Sequence, residues 1–278
     1  MIYDPLETDA SRRVLLELLD EIGLRESFGL VGGWAVHHLT RDNFLRATGR
    51  EFPTSRDIDV FVDCSGDFPS EFVRVLTKVG FVPGEYGFRY RLILDRNTME
   101  RMGEEEAKRK QTFDLIYVFL DVLGNGPSDV LGVWPNEIVG RIIDEGGLKA
   151  ITVDGRRVFV PKEDMLLLLK VDSFLQRETK EKRMKDACDI YGLLFYTGPG
   201  IMERLKDGWK AERAMKGIGM MQKDEVLEFI ADVLFGDRFK AGLVRRNLSR
   251  VMGFWAERSG SLGVSGLGDP NRARRFAP

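Results

Sequence analysis

Two aspartates, Asp57 and Asp59, sit one residue apart in the apolar run Ile58-Asp59-Val60-Phe61-Val62 and its approach Ser55-Arg56-Asp57. In a strand, alternate side chains share a face, so the two carboxylates point one way while Ile58, Val60 and Val62 point the other. An acid beside a core is costly unless it is paired or metal-bound, and a divalent cation would serve both acids at once. A second apolar segment, Phe113-Asp114-Leu115-Ile116-Tyr117, carries one more acid, and Asp114 is expected to close the site from a neighbouring strand. Three acids are enough to hold two Mg²⁺ ions about 4 Å apart, an arrangement that handles nucleoside triphosphates. Upstream, Gly32-Gly33 follows the short strand Phe28-Gly29-Leu30-Val31 and precedes a helix from Trp34. Strand, glycine and helix in that order bring backbone N–H groups to a helix N-terminus, where phosphate is favoured, although a tight turn would use the same glycines.

The elements that must position these groups follow from periodicity. Val14, Leu15, Leu18, Leu19 and Ile22 lie at helical spacing, which predicts an amphipathic helix over 6–22. Strands are expected at 57–62, 88–94 and 112–119, a helix at 70–79, an inserted loop around 41–54, and a mobile charged excursion at 96–110. A hairpin is expected with strands 150–153 and 157–160, turning at Asp154-Gly155. From Pro161 the pattern is helical. The helix 162–176 is apolar except along Leu166, Lys170, Ser173 and Arg177, and the next helix offers Asp186 and Asp189. The fold class expected is α+β, a small mixed sheet with helices over 1–160, then a mainly helical domain over 161–258 and a disordered basic tail over 259–278.

Leu30-Val31-Gly32-Gly33, Asp57-Ile58-Asp59 and Asp114, in that order, resemble the nucleotidyltransferase superfamily of the DNA polymerase β type, across roughly residues 27 to 120. The 23 residues between Gly33 and Asp57 make a longer spacer than the family pattern. The arrangement Lys170, Arg177, then Lys185-Asp186-x-x-Asp189-Ile190 is similar to the second domain of abortive-infection type nucleotidyltransferases, many of them toxins of toxin–antitoxin pairs. The resemblance implies two Mg²⁺ ions, or Mn²⁺ in their place, held by Asp57, Asp59 and Asp114. It also implies a nucleoside triphosphate such as ATP approached by Gly32 and Gly33, with Lys170 and Asp186 lining the nucleotide site. Arg56, beside the acids, would neutralise them or touch phosphate. Lys170 reads equally well as a structural bridge to Asp172 or Asp186, and His37 and His38, on the helix after the glycines, read as packed or exposed side chains unless one of them faces the site.

Composition agrees with such an enzyme without selecting it. The 278 residues, 43% hydrophobic and 31% charged, can bury a sizeable core. No apolar run approaches the length of a membrane span, the N-terminus has no signal-peptide character, and a soluble cytoplasmic protein with no membrane partner is expected. Cys64 and Cys188 form no zinc spacing with the two histidines, and 3 Gln and 6 Asn among so many charges look like a thermophile's composition. Residues 1–160 carry 20 Lys/Arg against 27 Asp/Glu, and 161–278 carry 22 against 17, so the halves are −7 and +5. Residues 238–278 hold 9 Lys/Arg against Glu257 and Asp269, which favours a polyanionic acceptor, RNA, although no RNA-binding module is recognisable. Two readings stand: a metal-dependent nucleotidyltransferase, with an antitoxin protein as a further partner, and a non-catalytic nucleotide- or RNA-binding protein on the same fold.

Overall fold

The computed structural model describes residues 3–198, 200–206 and 208–263, with 256–263 as backbone only. Asp4 caps the first helix, α1 (Pro5–Ile22), by accepting from the Leu6 N–H at 2.9 Å, with Pro5 at its first position. The chain continues through β1 (Phe28–Leu30), α2 (Gly32–Thr48), β2 (Ile58–Val62), α3 (Phe68–Val79), β3 (Val82–Pro83), β4 (Arg89–Asp95) and α4 (Glu104–Ala107). Then come β5 (Leu115–Gly124), α5 (Glu137–Asp144), β6 (Leu148–Val153), β7 (Arg156–Pro161), α6 (Glu163–Gln176) and α7 (Lys180–Tyr196). The remaining helices are α8 (Ile201–Arg204), α9 (Gly208–Met220), α10 (Asp224–Phe235) and α11 (Ala241–Gly263).

The fold is α+β. Its seven-stranded mixed sheet has the order β3-β4-β5-β2-β1-β7-β6, and every strand lies before residue 162. The β2–β5 and β1–β7 pairs are parallel and the others antiparallel. At the hairpin between β6 and β7, Asp154 and Gly155 both take positive φ, 47° and 85°, the turn that the Asp-Gly pair favours. Buried Val14, Leu15, Leu18 and Leu19 line the face of α1 that packs toward β5, β7 and α3. α2 bridges the two kinds of structure, packing on β2 at one side and on α6 and α7 at the other. Buried Trp34 fixes it to α1 by donating to Ser11 Oγ at 3.0 Å.

Three expectations change. Helix α2 runs to Thr48, so much of the loop expected at 41–54 is helix. The charged stretch after β4 is tied down: Asp95 accepts from the Asn97 and Thr98 N–H groups at 2.7 and 3.0 Å and pairs with Lys110, and Ala107 is buried. The strand expected at 112–119 begins at Leu115 and continues to Gly124, because β4 pairs with it from Asp95↔Leu115 to Arg89↔Asp121. The boundary expected at 258 falls inside α11, and the tail residues 264–278 lie outside the described residues. Among the described residues no helix is long and apolar enough to cross a membrane.

The close approach of β1 to its neighbours leaves no room at Gly29. A Cβ there would stand 2.5 Å from the Phe159 carbonyl oxygen and inside the Phe61 ring. Gly29→Ala is expected to lower stability by about 1–3 kcal/mol, the cost of overpacking a filled core, seen as a lower urea midpoint with an unchanged slope.

Candidate nucleotide and metal site

The parallel register of β2 and β5 sets Asp59 directly opposite Asp121. Asp57 immediately precedes β2 and shares the face of Asp59, so three carboxylates meet on one side of the sheet. Asp121, not Asp114, is the third acid. Asp114 lies in a 3-10 turn before β5, seven residues upstream of Asp121 and so roughly 23 Å away along the strand. β5 starts well before the level of β2 because it pairs with the whole of β4, which carries Asp114 to the far end of the sheet.

Gly32 opens α2 at φ +62°, and a Cβ there would land on the Asp59 carboxylate. The Val31 N–H donates to the Asp59 carbonyl at 2.9 Å, so the helix N-terminus is fastened to the acid-bearing strand. At Gly33 a Cβ would come within 2.9 Å of Ser55 Oγ, Ser55 Cβ and Lys185 Nζ. Gly32 therefore brings the start of α2, whose first backbone N–H groups have no intrahelical partners, against Asp59, while Gly33 brings it against Ser55 and Lys185.

Each acid is balanced differently. Asp121 receives both arms of Arg89, Nε to Oδ1 at 2.7 Å and a terminal nitrogen to Oδ2 at 2.6 Å. Asp57 Oδ2 stands 3.4 Å from Lys182 Nζ, while Asp57 Oδ1 is buried with no hydrogen-bond partner. Burial and the neighbouring charge of Asp121 push the Asp59 carboxyl up to about 6, with Asp57 adding to the effect and Lys170 opposing it. Among the described residues, no three His, Cys, Asp or Glu side chains stand close enough to form a finished metal-ligand set. The donors nevertheless suit a hard divalent cation: all are carboxylate oxygens, one is buried without a partner, and the Asp59 carboxyl is raised by crowding that a cation relieves. Arg89 takes one acceptor site on each Asp121 oxygen, so a cation there would share the carboxylate with the guanidinium.

Behind the acids, the polar line of α6 converges on α7. Buried Lys170 reaches Asp186 at 3.0 Å and Asp189 at 2.7 Å, Ser173 Oγ donates to Asp186 at 2.8 Å, and Arg177 approaches Asp186 at 3.4 Å. Lys185 reaches both Asp189 oxygens at 3.0 Å. Burial would depress Lys170, but Asp186, Asp189 and Asp59 outweigh it and hold the ammonium above its usual range. Burial likewise favours a neutral Asp186, and Lys170 and Arg177 overcome it. Lys170 thus bridges to Asp186 and also lines the cavity beside Asp59, whereas Asp172 is taken by Arg213 at 2.8 Å.

Two spaces meet at the acids. The larger, about 460 Å³, lies between β5 and α6 and is lined by Gly32, Asp59, Asp121, Lys170, Ser173 and Arg177 among others. The smaller, about 30 Å³, is walled by Tyr3, Gly33, Ser55, Asp57, Lys182 and Lys185. That volume holds a water molecule or so, not a triphosphate. Tyr3 helps close it, its ring covered by the Arg56 guanidinium at 5.1 Å and its hydroxyl raised by burial and by the charges of Asp189 and Asp57. Arg56 otherwise faces Asp57 at 3.7 Å and Glu7 at 3.8 Å. His37 and His38 are packed away from the acids, His37 Nδ1 within 3.1 Å of the Phe52 carbonyl and His38 stacked on Trp34.

Asp121, Lys182 and Ser55 line the compartment without having been given a role from the sequence, and Lys185 entered only as part of the α7 motif. The alternation of Tyr117, Phe119 and Asp121 with buried Val118, Leu120 and Val122 is the signal for Asp121, once the strand is extended past 119. Lys182 and Lys185 stand one helical turn apart, together with Asp186 and Asp189.

No family model and no curated protein matches the chain. It is similar to a solved structure, that of an antigenic nucleotidyltransferase-like protein from Paracoccidioides brasiliensis, at 14% identity and a TM-score of 0.44, over 84% of this chain and 97% of that one. A likeness at that score carries no argument. The chemistry rests on the side chains.

Two predictions come from this geometry. Because the Asp59 carboxyl is raised from 3.8 to about 6, the unfolded chain ionises first, and the metal-free protein loses stability as pH rises through that window. Below it both states are protonated, and above it the loss is complete. Thermal unfolding in EDTA should show Asp59→Asn lacking this fall, and parallel pH profiles for the two proteins would refute the assignment. Tyr3→Ala should enlarge the small compartment and tighten triphosphate binding by calorimetry while leaving nucleoside binding unchanged.

Proposed function

We propose that this protein moves a nucleoside monophosphate from a nucleoside triphosphate to a hydroxyl acceptor, with Mg²⁺, or Mn²⁺ in its place, at Asp57 and Asp59 and with Asp121 beside them. The observation that carries this reading is the meeting of those three carboxylates with the glycine-opened N-terminus of α2 and the ammonium groups of Lys182 and Lys185. Acids alone would suit many cations. Acids facing a helix N-terminus and a pair of lysines suit a cation that travels with phosphates.

The triphosphate is placed along Gly33, Ser55, Lys182 and Lys185 once Tyr3 has yielded, and the nucleoside in the larger cavity against α6, where Leu169 and Gln176 line the wall. The bound metal supplies positive charge to the phosphates and lowers the pKa of the acceptor hydroxyl. Asp57 and Asp59 would hold it, and Gly32 keeps the start of α2 against Asp59, where its N–H groups can meet a phosphate. The acceptor oxygen forms a bond to the α-phosphorus as the bond from that phosphorus to pyrophosphate breaks, and the hydroxyl proton passes to Asp121. Lys182 and Lys185 meet the charge that collects on the departing pyrophosphate. Lys170 and Asp186 hold α6 and α7 together behind the reacting groups, with Lys170 also presenting charge to the cavity.

A second reading, nucleotide binding without transfer, draws on Arg89, whose two-pronged hold on Asp121 already neutralises the acid nearest the acceptor side. Labelled triphosphate, Mg²⁺ and a cell extract separate the two, since binding without label transfer would leave the non-catalytic reading. Asp57→Asn, Asp59→Asn and Asp121→Asn should each lower transfer by about 100-fold or more while the fold survives. Asp114→Asn should leave transfer intact, and its loss there would return the third acid to Asp114.

A further inference from the structure

Outside the acid cluster, the most unusual surface is a set of exposed rings on two loops that each contribute a residue, Phe88 and Asn136, to the larger cavity. Tyr86 and Phe88 are 57% and 39% exposed, and Trp134 is 84% exposed. The Tyr86 and Phe88 rings lie nearly parallel, 15° apart with centroids 5.7 Å from each other. Two loops carry the three rings, and their backbones touch: a Cβ on Gly87 would stand 3.0 Å from Gly132 Cα. Pro135 bridges to Gly124 at the end of β5, so the second loop is pinned to the strand that bears Asp121. Phe88 itself lines the cavity with Asp59 and Asp121, and so does Asn136, two residues beyond Trp134. Phe88 and Asn136 thus tie both ring-bearing loops to the cavity on the β4–β5 side, opposite the α6 wall assigned to the nucleoside.

Resting on the reading of the site as a nucleotidyl-transfer centre, we infer that Tyr86, Phe88 and Trp134 form the platform that holds its acceptor, and that the acceptor is the 3′ end of a single-stranded RNA. Flat rings left open to solvent, two of them parallel, match unpaired bases, which stack on aromatic faces without regard to sequence. A small acceptor would be enclosed by the cavity and would not need rings outside it. Asn136 favours ribose over deoxyribose. Its Oδ1 is spent on the Ile138 and Val139 N–H groups at 3.0 and 3.1 Å, so its side chain has only amide hydrogens to offer the cavity. A 2′-hydroxyl oxygen beside the reacting 3′ oxygen is an acceptor for such a donor.

The test is binding of a fluorescein-labelled oligouridylate to the full chain without metal or triphosphate, read by anisotropy and by quenching of tryptophan fluorescence. Trp134→Ala and Tyr86→Ala, both at exposed positions, should each weaken binding by about 5- to 150-fold, and the quenching should vanish in Trp134→Phe. The deoxy oligonucleotide should bind more weakly, with the gap closing in Asn136→Asp, which keeps the helix cap and loses the donor. Unchanged affinity in the two alanine variants, or no binding to the wild type, would overturn the platform. Equal affinity for the deoxy oligonucleotide would overturn the choice of RNA. RNA binding that depends on the rings with no label transferred by the wild type would defeat the transfer reading alone. Label transfer to another acceptor without RNA binding would defeat the platform alone.

Discussion

Three carboxylates of like charge brought to one face of the sheet, at the edge of a core, are the constraint on which this structure turns. Like charges this close repel, and burial removes the water that would screen them, so each acid needs its own compensation. Arg89 clasps Asp121, Lys182 stands off Asp57, and Lys170 lends charge to Asp59 from behind. Each cation comes from a different element: β4, α7 and α6. The helical part of the chain is therefore bound to the sheet by electrostatics as well as by packing, and the second network, Lys170 and Lys185 against Asp186 and Asp189, keeps Lys170 in place.

Backbone geometry meets the same constraint from the other side. Gly32 is left-handed and touches Asp59 so closely that no side chain fits, and Gly33 sits against Ser55 and Lys185. The start of α2 is thus wedged between two charged groups of opposite sign. Its own partial positive charge faces the acids, where it lowers their mutual repulsion.

Much of this was readable in the chain before folding. Asp57 and Asp59 could be assigned because a two-residue spacing in an apolar strand leaves only one face for both, and Gly32-Gly33 because strand, glycine and helix follow in order. The α6 line of Lys170, Ser173 and Arg177 was visible from helical spacing, and it does converge, on Asp186. Asp121 was not read, because the level at which a strand meets its neighbour is set by long-range pairing. Nothing local in Phe113-Asp114-Leu115 says that β5 begins a full seven residues before the end of the sheet that carries Asp59. Lys182 was missed for a related reason. A lysine on a charged helix face looks solvated until the packing of α7 against α2 turns that face inward.

Helix α2 also decides how the molecule can admit a ligand. It starts at the acids, packs along β2, and lies against both α6 and α7 before ending at Thr48. A helix shared by sheet and helices couples the two where the acids sit. The groups that close the small compartment and clasp Asp121 are instead single side chains at the rim, a tyrosine ring and an arginine fork. In such a protein the resting state is kept by a few side chains, and the scaffold behind them has no work to do when the gate moves.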